Sequence, residues 1–213
     1  MNSQRPEDLF KHYSHKICGL IENEGVIIRP YANASLSYFN VLTEGEKAEV
    51  LHNLESYYQI CLDVKKASRS LRDTRYFTEC ALKNLGYTVD PKMLDEIEDH
   101  HLVEIYSYSQ TQMFRSLLFF DVCSYTLEDL YCRKWYSLYE RTPEDHKLVE
   151  NLVVKYMGAE KKVPIEVENP QHVIKEKDSL ERLSIINKML WLVPLYKDQK
   201  DVAMLLISTV VLP

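Results

Sequence analysis

Leu9, Tyr13, Ile17, Leu20 and Ile21 recur at the spacing of one helix face. Pro6 suits the first turn of that helix, where its missing N–H costs nothing, and Gly25 suits a left-handed cap beyond it. Val26-Ile27-Ile28 before Arg29-Pro30 reads as a short extended link. Thr43-Glu-Gly-Glu46 is a capping box, and the stripe behind it runs Val50, Leu51, Leu54, Tyr57, Tyr58, Cys61 and Val64. The polar stretch Ser68 to Ser70 bends or ends this second helix. A third helix starts near Asp73 and stops at Gly86, and Asp90-Pro91 opens a fourth. Each helix has one apolar stripe to bury, so these helices need partners.

The second half has a different pattern. Leu102 to Tyr108 fits a strand or a helix, with strand preferred. Thr126-Leu-Glu-Asp129 opens a helix carrying Leu127, Leu130, Tyr131, Trp135 and Leu138. Thr142-Pro-Glu-Asp145 opens another, with Val149, Leu152, Val153 and Tyr156 on its face and Gly158 at its end. Val163, Ile165 and Val167 alternate with Pro164, Glu166 and Glu168, the period of a half-buried strand, and Asn169-Pro170 marks a turn. Met189 to Tyr196 and Asp201 to Leu212 are apolar runs joined by Lys197-Asp-Gln-Lys200, which predicts a hairpin of two largely buried strands. The change of pattern near residues 100–110 places a boundary there.

Composition narrows the functional classes. The 213 residues carry 26 Lys and Arg against 32 Asp and Glu, a formal charge of −6. That balance argues against a general nucleic-acid binder, which needs a basic face to displace counterions. The start, Met1 to Asp8, lacks the layout of a secretory signal, and no apolar run approaches the ~20 residues that cross a bilayer. The expected location is the cytoplasm, with no membrane insertion. Cys18, Cys61, Cys80, Cys123 and Cys132 are well separated, as reduced core thiols would be.

Motifs for chemistry are sparse. With 5 glycines there is little material for phosphate loops, and neither G-x-S-x-G, a P-loop nor G-x-G-x-x-G occurs. The chain is therefore expected not to be an enzyme. Glu49/His52 and Glu98/His101 each place two potential metal ligands on one helix face, the spacing used by di-iron bundles. Such pairs arise by chance in an acidic helical chain, and a solvated face is the simpler account. In His12-x-x-His15-x-x-Cys18, steps of three rotate each ligand by about 60° and raise it ~4.5 Å, which favours a core thiol beside two surface histidines. No cofactor is expected.

Aromatic residues carry more information. The 15 tyrosines thicken around Tyr125, Tyr131, Trp135, Tyr136 and Tyr139. Tyrosine gives large contact area at low entropy cost, so interfaces are enriched in it, although it also fills cores. The apolar positions from Leu130 to Tyr139 are wider than one stripe, so part of this segment is expected to face a partner or a neighbouring domain.

Ser124-Tyr-Thr-Leu-Glu-Asp-Leu-Tyr-Cys132 resembles the helical signature of PAS domains, usually Gly-Tyr-Ser/Thr-x-Glu-Glu-Leu-x-Gly. Trp135 to Asp145 looks like the Leu…x-Pro-x-Asp segment that follows there, and Trp191 to Asp201 is similar to the closing hairpin. The resemblance covers residues 102–213 and implies an antiparallel sheet flanked by short helices. Ser124 and Cys132 stand where the signature prefers Gly, and the hairpin holds no Gly. Cys132 is out of register with the flavin-reactive cysteine of the light-sensing branch, so no flavin is implied. His146, where some haem-binding relatives would carry a ligand, reads as solvated.

The expected fold is α+β: a helical region over 1–101 packed on a PAS-like domain over 102–213. The leading expectation is a non-catalytic protein–protein interaction module, an adaptor or chaperone-like subunit of a signalling or secretion complex. It rests on exclusion and on the absence of an output domain after the last strand. A basic partner segment would suit the acidic surface, and homo-oligomerisation is compatible with it. The alternatives are a PAS-type small-molecule sensor and a di-iron or other metal-binding helical protein. Candidate interface or pocket residues are Tyr125, Tyr131, Trp135, Tyr136, Tyr139 and Trp191, with Tyr125, Trp135, Tyr139 and Trp191 as the pocket wall.

Overall fold

Capping chemistry sets most helix boundaries. The computed structural model describes residues 5–109, 111–157, 163–168 and 171–213. Helix α1 (Pro6–Glu22) begins at its proline and buries Phe10, Ile17, Cys18 and Ile21. Gly25, at φ 83°, turns the chain into the extended link, where Val26 and Ile28 are buried and Ile27 is exposed. Four residues form α2 (Ser37–Asn40). Helix α3 (Glu44–Lys66) starts at the capping box: Glu46 N–H donates to Thr43 Oγ1 at 3.3 Å, and Thr43 N–H donates to Glu46 Oε2 at 2.9 Å. The Asp73 carboxylate accepts from Tyr76 N–H at the start of α4 (Thr74–Leu85), and Gly86 ends it in the left-handed region. The fourth expected helix amounts to a single turn, α5 (Pro91–Asp95).

The second half supplies the sheet. Strand β1 (His101–Ser107) settles the ambiguous segment, and β2 (Gln112–Arg115) returns beside it. Then come α6 (Leu118–Asp121), α7 (Leu127–Cys132), a 3-10 turn at Trp135–Ser137, the short strand β3 (Tyr139–Glu140) and α8 (Pro143–Met157). Strands β4 (Ile165–Glu166), β5 (His172–Glu176), β6 (Ser184–Lys197) and β7 (Lys200–Val211) follow. The predicted turn at Asn169-Pro170 and the Gly158 cap lie outside the described residues. All pairings are antiparallel, in the order β2-β1-β7-β6-β5-β3, with β4 on β6, and the sheet curls into a half-barrel. Asp198 and Gln199, both at positive φ, make the two-residue turn between the long strands. Turns of this kind match the twist of a hairpin but favour Gly, so both residues are strained there.

Two expectations change, one for a helix and one for the placement of Trp191. The segment after Thr126 is not one long helix, because Arg133 takes an extended conformation (φ −107°, ψ 151°). The Arg133 side chain folds back onto Asp129 at 3.2 Å and the Ser137 carbonyl at 3.3 Å, which stabilises the corner. The wide apolar pattern of Leu130 to Tyr139 therefore comes from a change of direction. The second change is a bulge in β6: Met189 pairs with Ser208, but Trp191 pairs with Ile207. The extra residue reverses the alternation, so Leu192 rather than Trp191 shares a face with Met189.

The sheet has two contrasting faces. On the outer face Val103, Ile105 and Phe114 are fully buried, and Phe114 meets Phe77 of α4 and Tyr57 of α3 at ring distances of 4.9 and 6.0 Å. Tyr57 Oη donates to the Arg115 carbonyl at 3.0 Å, joining the helices to β2. The inner face carries Leu102, Glu104 and Tyr106 of β1 with Met204 and Leu206 of β7, beneath α8.

Candidate ligand cavity

A cavity of about 100 Å³ lies between the inner face, α8 and the Trp135–Arg141 segment. Val149, Leu152, Met189, Leu192, Met204 and Leu206 give it apolar walls. Glu104, Gln112, Tyr139, Arg141, His172 and Asn187 add polar groups. Small-molecule sites commonly combine such walls with a few converging polar atoms.

Strand register assembles the polar groups. A bulge at Met113 lets Gln112 stand opposite Tyr106, next to Glu104. Tyr106 Oη donates to Glu104 Oε1 at 2.7 Å, and Gln112 Nε2 donates to the same oxygen. Burial pushes the Glu104 carboxyl above its usual range, against the opposing pull of these bonds and of the Arg115 and Arg141 charges. Burial likewise drives the Tyr106 phenol well up.

Two guanidinium groups are held in these surroundings by aromatic rings. Arg115 is fully buried, 5.1 Å from the Phe119 ring centre and 4.9 Å from that of Tyr131. Its Nη2 donates to the Leu130 carbonyl at 3.3 Å, while Nε and Nη1 have no hydrogen-bond partner among the described residues. Arg141 lies 5.5 Å from the Trp135 ring centre and 5.6 Å from that of Tyr139. Burial lowers its pKa, and its Nε is buried without a partner.

His172 and Asn187 are opposite one another on β5 and β6, and both line the cavity. His172 is 9% exposed. Its Nδ1 and Asn187 Oδ1 are buried and have no hydrogen bond among the described residues. Buried polar atoms are nearly always bonded to protein, water or ligand, so these two atoms are open to a further partner.

Of the residues singled out from sequence, Trp135 and Tyr139 line the cavity. Tyr125 is buried beside it, accepting from Lys177 N–H at 2.9 Å and donating to the Leu138 carbonyl. Tyr131 packs on Arg115, Tyr136 is 55% exposed in an outer groove, and Trp191 lies on the opposite face of the sheet. Sequence reasoning missed Glu104, Arg141, His172 and Asn187. Glu104 alone had a local signal, a charge within the run Leu102-Val-Glu-Ile-Tyr106.

The residues of the Ser124–Cys132 segment hold the architecture together. Thr126 and Asp129 form a reciprocal capping box for α7. The Glu128 carboxylate accepts from the N–H groups of Tyr38 and Phe39 at 2.8 and 3.2 Å, tying α2 to α7. Glu176, fully buried, accepts from Ser124 N–H at 2.7 Å, Leu183 N–H at 3.0 Å and the hydroxyls of Ser124 and Ser179.

The earlier metal candidates occupy other settings. Cys18 is buried, while His12 and His15 are exposed, and His15 Nε2 is 2.9 Å from Tyr31 Oη. Glu49 accepts from the Thr111 hydroxyl, and His101 Nδ1 accepts from Glu98 N–H. Among the described residues no group of three or more His, Cys, Asp or Glu is arranged to hold a metal, and no helix is long and apolar enough to cross a membrane. No family model matches the chain, and no curated protein or solved structure matches it either.

Proposed function

We propose that this chain is a non-catalytic, PAS-like small-molecule sensor, its ligand held between the curled sheet and α8. One observation carries this reading: the apolar-walled cavity contains buried polar atoms, on Arg141, His172 and Asn187, that no group among the described residues bonds. An interior built only for stability would satisfy or eliminate them. Trp135 at the wall supplies an optical probe. Titration with a ligand recovered from purified protein, or found by screening, should change Trp fluorescence with one-to-one stoichiometry. Leu192→Trp, which fills the cavity, should abolish that change. Binding undiminished in Leu192→Trp would overturn the assignment.

A second reading, the protein-interaction module, draws on a different feature. Tyr136 and Val154, 55% and 64% exposed, border a groove of about 320 Å³ with Trp135, Val153 and Glu150. The overall net charge of −6 suits a basic segment with apolar anchors. Co-purification at low and moderate salt tests it, and recovery of the chain without any partner under both conditions would count against it.

A further inference from the structure

Resting on the sensor reading, we infer that the cavity takes a small organic anion: one carboxylate facing Arg141, a ring-sized apolar body, and a hydrogen-bonding group for the His172–Asn187 pair.

Charge points to an anion. The guanidinium groups of Arg115 and Arg141 act on one buried carboxyl, Glu104, and neither forms an ion pair among the described residues. Both hydrogen bonds to Glu104 fall on Oε1 and come from neutral donors. A buried guanidinium lacking a carboxylate is costly, and a ligand carboxylate would provide its counter-charge. Arg141 lines both the cavity and the outer groove, so it stands between interior and surface. The unbonded Nε is a donor available to such a group.

Position makes the ligand a molecule rather than a simple ion. Glu104 is on β1 and Asn187 on β6, with β7 between them. Along β7 their partners, Leu206 and Val210, are a further four residues apart. Arg141 is nearer to the pair: it follows Glu140, which is opposite Lys175, three residues or about 10 Å along β5 from His172. Asn187 Oδ1 requires a donor, and His172 Nδ1 accepts or donates according to its tautomer. A hydroxyl can serve both. The cavity volume, about 100 Å³, is on the scale of one substituted aromatic ring. Walls of Leu, Val and Met suit an apolar body and exclude a highly hydrated one, such as a phosphorylated sugar.

Three ring compounds separate these terms: 4-hydroxybenzoate, benzoate, which lacks the hydroxyl, and 4-hydroxybenzamide, which lacks the charge. Calorimetry on the full chain should show 4-hydroxybenzoate binding at least tenfold more tightly than the amide. Arg141→Gln should erase that preference, and Arg141→Lys should retain part of it, which guards against a mere folding defect. Asn187→Leu should weaken 4-hydroxybenzoate severalfold and leave benzoate unchanged. Equal binding of acid and amide, or a preference that survives Arg141→Gln, would overturn the inference. If neutral rings bind and Leu192→Trp excludes them, the sensor reading stands while the anion inference falls. If none of the compounds binds at millimolar concentration and toluene does not either, both fall and the cavity holds only water.

Discussion

The two faces of one sheet follow opposite rules. On the outer face Val103, Ile105, Leu205 and Ile207 are fully buried, and the rings of Phe114, Phe77 and Tyr57 pack edge to face or tilted. Its buried phenol, on Tyr57, is bonded. On the inner face the same strands present Glu104, Gln112, His172, Asn187 and Ser208, and three of these carry a buried atom without a partner. Each unmet buried group costs about 1–3 kcal/mol. Alternation along a strand allows one set of residues to supply stability while the next set supplies recognition. The helical half therefore matters to the cavity through the outer face, because it stabilises strands whose inner side is poorly satisfied.

The largest effect expected from this contrast is on the outer face. Phe114→Ala removes a ring lodged against Tyr57 and Phe77. The loss should be about 3–5 kcal/mol in urea unfolding. Any ligand binding should disappear only at denaturant concentrations where the fold itself is lost. A cost under about 1 kcal/mol would mean that the outer face is not the stabilising one.

The inner face should respond with the opposite sign. Ser208 is fully buried on β7, and its Oγ has no hydrogen-bond partner among the described residues. Ser208→Ala deletes an unmet hydroxyl with little change of shape, so stability should rise by about 1 kcal/mol. The midpoint of urea unfolding would shift upwards with an unchanged slope. A comparable loss of stability would show that Ser208 has a bonding partner, such as an ordered water, and that the inner face is better satisfied than its protein contacts indicate.

The same division explains what could be read from the chain alone. Thr43 with Glu46, and Asp73 with Gly86, announce helices because capping is local, and each forms the expected contact. The long hairpin is legible because two apolar runs flank a four-residue polar link. The cavity is not, since Glu104, Arg141, His172 and Asn187 meet only through the order of the strands. Trp191, expected in the pocket wall from the likeness of its segment to a closing hairpin, is turned away: the bulge before it sends its ring to the opposite face and gives Leu192 its place. Tyr125 is legible as one of the tyrosines that cluster up to Tyr139, but its hydroxyl bonds the Leu138 carbonyl and Lys177 N–H, and no local spacing encodes that role.

The smallest expected effect is a difference in pH dependence between the two regions. Glu24, beside the helices, is partly desolvated, which opposes ionisation; hydrogen bonds from Lys65, Ser70 and Leu71 N–H outweigh it and hold the carboxyl below its usual range. A depressed carboxyl contributes stability that is present above its unfolded pKa and is lost as pH falls through its folded pKa. Glu104 has the reverse sign. Burial raises its pKa, so its contribution is complete below the unfolded value and declines as pH rises through the raised folded value. Urea unfolding as a function of pH should therefore lose some of its acid-side decline in Glu24→Gln. In Glu104→Gln the decline on raising the pH should be the one that flattens. A bound carboxylate should alter the wild-type profile and leave that of Glu104→Gln nearly unchanged, because the ligand's charge and the Glu104 carboxyl both act on Arg141.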